Sequence, residues 1–165
     1  MSDPRIELYE TYKNAIFLYL YRSTLNRHVA EDLTQDTFLK AFQSLSSFRG
    51  ESSIKTWLFK IARNTYINFS KRKQYKMEIH TDIMDRHQTN QHDQFKLSDE
   101  QRLIELTLLE LPENYRTYII LRDVNELTYE EVAVITHETI GQVKVGLYRA
   151  RKKFKEIYNK LGDEE

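Results

Sequence analysis

The sequence predicts an all-α protein: two small helical domains joined by a flexible polar linker, the second a four-helix domain with a helix-turn-helix. Three observations lead there. Apolar residues recur at steps of three and four along most of the 165-residue chain, the spacing that lines one face of a helix. Glycine and proline, which interrupt helices, number only four and two. Between 74 and 97 the periodicity stops and polar residues take over, with only scattered Ile79, Ile83, Met84 and Phe95, as in a linker. The domains are therefore expected at 1–73 and 98–165. Because the linker offers so little apolar surface to weld them, they are expected to share no persistent interface.

In the first domain, Ile6, Tyr9, Tyr12, Ile16 and Leu20 mark one helix, and Val29, Leu33, Thr37, Phe38, Ala41, Phe42 and Leu45 a second. Ser46-Ser47-Phe48-Arg49-Gly50-Glu51-Ser52 breaks the pattern and reads as a loop. A third helix keeps Ile54, Trp57, Leu58, Ile61, Ala62, Thr65 and Phe69 on one side and ends in Lys71-Arg72-Lys73. The second domain opens at Ser98, which with Gln101 forms a capping box ahead of Leu103, Leu106 and Leu109. Pro112 starts the next helix, with Tyr115, Ile119 and Ile120. Thr128 with Glu131, and Thr139 with Gln142, make two further capping boxes. The first opens a short helix with Val132 and Ile135. The second opens a long one with Ile140, Val143, Leu147, Ala150, Phe154, Ile157 and Leu161. Only His137-Glu138-Thr139 separates that pair, the spacing of a helix-turn-helix.

Composition removes several classes of function. There is no cysteine, hence no disulfide, thiolate metal site or cysteine nucleophile. No apolar run approaches the ~20 residues that cross a bilayer, and no signal-peptide pattern opens the chain; a soluble, cytoplasmic protein is expected. Gly-rich phosphate loops, nucleophile elbows and paired metal-ligating histidines are missing, so no catalytic residue, cofactor, metal or small-molecule substrate is assigned. His80, His87 and His92, with Asp82, Asp85 and Asp93, are too irregularly spaced for a metal site. Net charge is zero, yet segments 51–76 and 139–161 each carry seven Lys/Arg against one acid, while 77–138 carries five against fourteen. Two basic patches suggest two contacts with phosphates; two solvated helix faces are the plain alternative.

The long final helix needs its apolar face for the bundle, which leaves Gln142, Lys144, Val145, Tyr148, Arg149 and Lys152 to meet base edges and phosphates. In the third helix Lys60, Asn64, Asn68 and Lys71 fall in one quadrant, with Trp57 between that stripe and the apolar one. Aromatics beside cations and amides can hold unstacked single-stranded bases, although a lone Trp at a core edge also serves simple packing. The second helix begins Ala30-Glu31-Asp32-Leu33-Thr34-Gln35-Asp36, either a well-capped start or a docking face for a basic partner.

These segments resemble the extracytoplasmic-function (ECF) group of bacterial sigma factors over nearly the whole chain. Residues 30–38 resemble the group's AEDLxQ(E/D)xF helix and 56–64 its TWLxxIARN segment. Leu111–Arg116, Leu127–Ala133 and Tyr148–Arg151 resemble its C-terminal half. The resemblance implies a subunit that binds core RNA polymerase and directs promoter-specific initiation, in an envelope or other stress response. Asp32, Gln35, Asp36, Phe38 and Leu39 would dock on the clamp helices of the largest polymerase subunit. Arg49, Ser52, Ser53, Lys55, Trp57, Lys60, Arg63, Asn64 and Asn68 would melt and hold the minus-ten element. Thr128, Gly141, Gln142, Lys144, Val145, Tyr148, Arg149 and Lys152 would read the minus-thirty-five element in duplex DNA, while the polymerase flap tip contacts the same domain. The linker would thread the RNA exit path. A membrane-anchored anti-sigma factor is the further partner implied, holding the protein at the membrane face. The alternative is a stand-alone helix-turn-helix regulator of duplex DNA.

Two stretches depart from the group. Its turn reads close to Leu-Gly-Ile-Pro, whereas Thr136-His137-Glu138-Thr139 stands here, so His137 must adopt a left-handed backbone. Where Ser-Arg follows the recognition-helix lysine, this chain has Val145-Gly146, and a helical glycine costs about 1 kcal/mol relative to alanine.

Overall fold

The computed structural model describes residues 2–75 and 98–164, which form seven helices and no strand among the described residues. Helix α1 (Pro4–Thr24) starts on Asp3, whose carboxylate accepts from the Arg5 N–H at 2.9 Å, with Pro4 in the position its missing N–H suits. Helix α2 (Arg27–Ser44) is capped by Asn26, which accepts from the Val29 N–H at 3.1 Å. A single 3₁₀ turn (Leu45–Ser47) leads into the loop before α3 (Ile54–Tyr75). The second half comprises α4 (Asp99–Glu110), α5 (Glu113–Tyr118) running on as a π-helical segment (Ile119–Val124), α6 (Tyr129–Thr136) and α7 (Ile140–Asp163). All three capping boxes expected from the sequence form, at Ser98, Thr128 and Thr139. Helix α3 extends two residues past the expected domain boundary at 73; the remainder of the expected linker, with its histidines, lies outside the described residues.

The expectation of two domains without a mutual interface is not met. Buried apolar residues of both halves form one cluster, from Leu8, Tyr19, Leu58 and Tyr66 to Leu108, Leu111, Tyr118 and Val132. Helix α1 packs on α2 and α3 at one side and on α4 and α5 at the other, while α6 lies against α3. Arg116 rivets the two halves. Its guanidinium donates to the carbonyls of Leu108 (2.7 Å), Leu109 (3.0 Å) and Leu111 (3.0 Å), which end α4. It also donates to the Ser23 carbonyl at 2.9 Å and the Tyr66 hydroxyl at 3.4 Å, both in the other half. Helix faces weld the domains, so linker composition was the wrong guide.

The double-sided packing of α1 also revises its inward face. Ile6, which periodicity placed inside, is exposed; Leu8 and Tyr19 are buried instead. The Tyr19 ring meets Phe59 edge-on at 5.6 Å. Ile140, expected in the core, is likewise exposed at the start of α7, and Pro112 precedes α5 rather than opening it.

Candidate functional site

Helix α7 presents its predicted outer face intact. Val143, Leu147 and Ala150 are buried, while Gly141, Gln142, Lys144, Val145, Tyr148, Arg149 and Lys152 are exposed. Tyr148 is 71% and Val145 50% accessible, large apolar surface beside cations on a helix that the bundle already holds. A Cβ added at Gly141 would meet only the Thr139 hydroxyl, at an ordinary 3.9 Å, and the residue is exposed. Two polar candidates are partly committed. The Gln142 carboxamide oxygen accepts from the Thr139 N–H at 2.9 Å, leaving only its NH₂ for a base. Thr128 caps α6, its hydroxyl accepting from the Glu131 N–H at 3.1 Å. Lys144 extends over the Tyr129 ring at 5.5 Å, and Arg122 over the same ring at 4.9 Å. Arg151 pairs with Asp123 (Nε–Oδ2, 3.0 Å), and that hydrogen bond raises its pKa further.

On α2 the spacing i, i+3, i+4, i+7 puts Asp32, Gln35, Asp36 and Leu39 on one exposed stripe. Leu39 is 57% accessible among acids and amides, as a docking anchor would be. Phe38 does not belong to that stripe. It is 2% accessible, with the Tyr9 ring edge-on at 5.0 Å, and its place is in the core.

The α3 side divides. Asn64 and Asn68 are exposed, and Arg49 stands out on the loop; Lys55, Lys60 and Ser52 are half-buried. Ser53 is exposed, but its hydroxyl caps α3, accepting from the Thr56 N–H at 3.1 Å and donating to the Thr56 hydroxyl. Trp57 is half-buried and packs on Phe48 at 5.1 Å, pinning the loop to the helix. Arg63 is not available in this arrangement. Its side chain is 13% accessible, its guanidinium lies 4.0 Å from the Glu113 carboxylate, and its buried Nε has no hydrogen-bond partner.

Comparison with known proteins decides among the readings. The Sigma-70 region 2 family model matches residues 8–75 and the Sigma-70 region 4 model residues 101–154. The RNA polymerase sigma factor YlaC of Bacillus subtilis is 36% identical over 163 residues, covering 96% of this chain and 94% of that protein. The ECF RNA polymerase sigma factor SigM of the same organism is 31% identical, covering 96% and 98%. The chain belongs to the ECF group of RNA polymerase sigma factors. Among solved structures, the sigma factor RpoE of Bartonella quintana, in complex with the anti-sigma factor NepR, superposes with a TM-score of 0.71. It is 27% identical and covers 92% of this chain and 94% of that one. As a sigma factor, the protein directs promoter-specific initiation by core RNA polymerase. Among the described residues no helix is long and apolar enough to cross a membrane, and no group of acids and histidines could hold a metal ion.

Within this sigma factor the sequence reading passed over Tyr118 and Glu138. The Tyr118 hydroxyl lies 2.7 Å from both Glu138 carboxylate oxygens, and its ring lies against α7. Burial, and then the bond to Glu138, push its pKa well above the ordinary phenol range. One signal was available: an isolated glycine inside a helical pattern often marks close packing, and Gly146 is that glycine.

Proposed function

We propose that this sigma factor docks on polymerase through the Asp32–Gln35–Asp36–Leu39 stripe. It then holds the unwound minus-ten strand on α3 and the preceding loop, and reads the minus-thirty-five duplex with α7. The outer face of α7 carries the reading: behind a three-residue turn, a bundle-held helix leaves cations, Val145 and Tyr148 unused by the core. Such groups suit guanine acceptors, thymine methyls and phosphates. On the minus-ten side, Asn64 and Asn68 are the open positions, with Arg49 at the loop. Arg63 joins them only if α3 and α5 part. A buried donor without an acceptor costs about 1–3 kcal/mol, so the Arg63 Nε favours that parting.

The structural relative with its anti-sigma factor supports an anti-sigma partner here as well; we further infer a cytoplasmic protein that a membrane-anchored partner of this kind would hold at the membrane face. Run-off transcription with core polymerase on a promoter pool, with and without this chain, tests the function. Transcripts from a defined promoter subset are expected only when both are present. Tight, sequence-specific duplex binding by the chain alone, with no effect on polymerase, would make it a stand-alone regulator instead.

A further inference from the structure

The two departures from the group's motifs, at the turn and at Gly146, meet on one side chain. Tyr118, 5% accessible, reaches from α5 to both. A Cβ added at Gly146 would lie 2.5 Å from Tyr118 Cε2, 2.8 Å from Cζ and 3.2 Å from Cδ2. Real carbon contacts sit near 3.5 Å or more, so the ring occupies the room that any other residue at 146 would need. The hydroxyl of the same ring donates to Glu138 in the turn. Glu138 is itself fixed by its backbone N–H, which donates to the Ala133 carbonyl at 3.0 Å beside left-handed His137. One aromatic side chain thus ties α5 to the turn and to the second turn of α7.

We propose that Tyr118 is a positioning residue for promoter reading: wedged against Gly146 and tied to Glu138, it sets how α7 sits and thereby which minus-thirty-five bases the sigma factor prefers. Relieving a 2.5 Å contact requires roughly 1 Å of separation between α7 and the ring. A hydrogen bond to a base edge tolerates only about 0.5 Å, from 2.7 to 3.2 Å. Gln142, Val145 and Arg149 lie within one turn of Gly146, so a shift on that scale re-aims the side chains that face DNA. The glycine is therefore the partner of the tyrosine, and its helix-propensity cost is accepted for the fit.

This inference rests on α7 being the minus-thirty-five reader, and the experiment separates the two. Transcription by core polymerase is read from a library randomised in the minus-thirty-five element and constant elsewhere. The variants are Gly146→Ala, Gly146→Ala with Tyr118→Leu, Tyr118→Phe and Arg149→Ala, each with its melting temperature measured. Arg149→Ala is expected to change output at specific bases or lower it across the library; no change at all means that α7 is not the reader. Gly146→Ala is expected to reorder base preference, with at least a tenfold loss on the wild-type optimum. Adding Tyr118→Leu, which deletes the Cε2 and Cζ atoms, is expected to restore the wild-type order. Tyr118→Phe keeps the ring but frees the turn, and is expected to narrow the gap between best and second-best sequences about threefold. Should Arg149→Ala act while Gly146→Ala merely scales all sequences alike and Tyr118→Phe leaves the gap unchanged, Tyr118 is only a packing residue and the proposal falls. If Gly146→Ala does not fold, the Tyr118→Phe gap decides alone.

Discussion

Replacing Arg116 with Met tests how the two halves of the molecule hold together. The guanidinium makes four hydrogen bonds of 2.7–3.0 Å to backbone carbonyls, three at the end of α4 and one at Ser23. A bond from a charged donor contributes ~1.5–3 kcal/mol singly. These four share one cation and a partly wet site, so they do not add. Methionine keeps the aliphatic stem in place but leaves the carbonyls to whatever water can reach them. We expect a loss of about 3 kcal/mol, a large share of the ~5–15 kcal/mol typical of a folded domain. For a chain of this size that corresponds to a fall in melting temperature of about 6–12 °C. Arg116→Lys should lose most of the same amount, because an ammonium cannot reproduce the planar fork. Calorimetry provides the assay. With one continuous apolar cluster the parent protein should melt in a single transition, and Arg116→Met should broaden or split it as the Ser23 and Tyr66 contacts go. A loss below about 1 kcal/mol with a single sharp transition would refute the rivet.

Four further outcomes are expected. Asp32→Arg or Gln35→Arg should weaken binding to core polymerase at least tenfold in a pull-down or titration while circular dichroism stays unchanged, since both lie on the exposed stripe of α2. Asn64→Ala should spare closed-complex formation and impair strand opening by permanganate footprinting, with a pre-melted bubble restoring output; failure of the bubble to help would remove Asn64 from the melting step. His137 holds φ 58° at the end of α6, so His137→Gly should stabilise the fold by about 0.5–1 kcal/mol in denaturant titration. Burial raises the Glu105 carboxyl pKa against the opposing pull of Arg22. The folded state therefore favours the protonated form, and stability is lost as pH rises through the carboxylate range. Glu105→Gln should raise the melting temperature at pH 7, with the gain vanishing below about pH 4.

Local signals in the sequence determined the helices, their capping boxes and the turn. A Ser or Thr followed three residues later by Glu or Gln satisfies its hydrogen bonds within a few residues, so Ser98, Thr128 and Thr139 were legible without any fold. Helical spacing likewise placed Asn64 and Arg149 on outer faces, and the family resemblance did so for the Asp32–Leu39 stripe. Where the sequence reading failed, the cause was contact between elements distant along the chain. Ile6 left its expected inward place because α1 packs on both sides, which a one-face periodicity cannot register, while Phe38 stayed on the inward face that periodicity gave it and not on the docking stripe that the family resemblance implied. Arg63 was expected to face DNA from the family resemblance, yet α3 turns it toward Glu113 of the other half. The need for glycine at 146 depended on a ring 28 residues earlier in the chain. The residue types set what each helix could present; only the packing of α5 against α7, and of one half against the other, decided which of those groups were covered and how α7 is held.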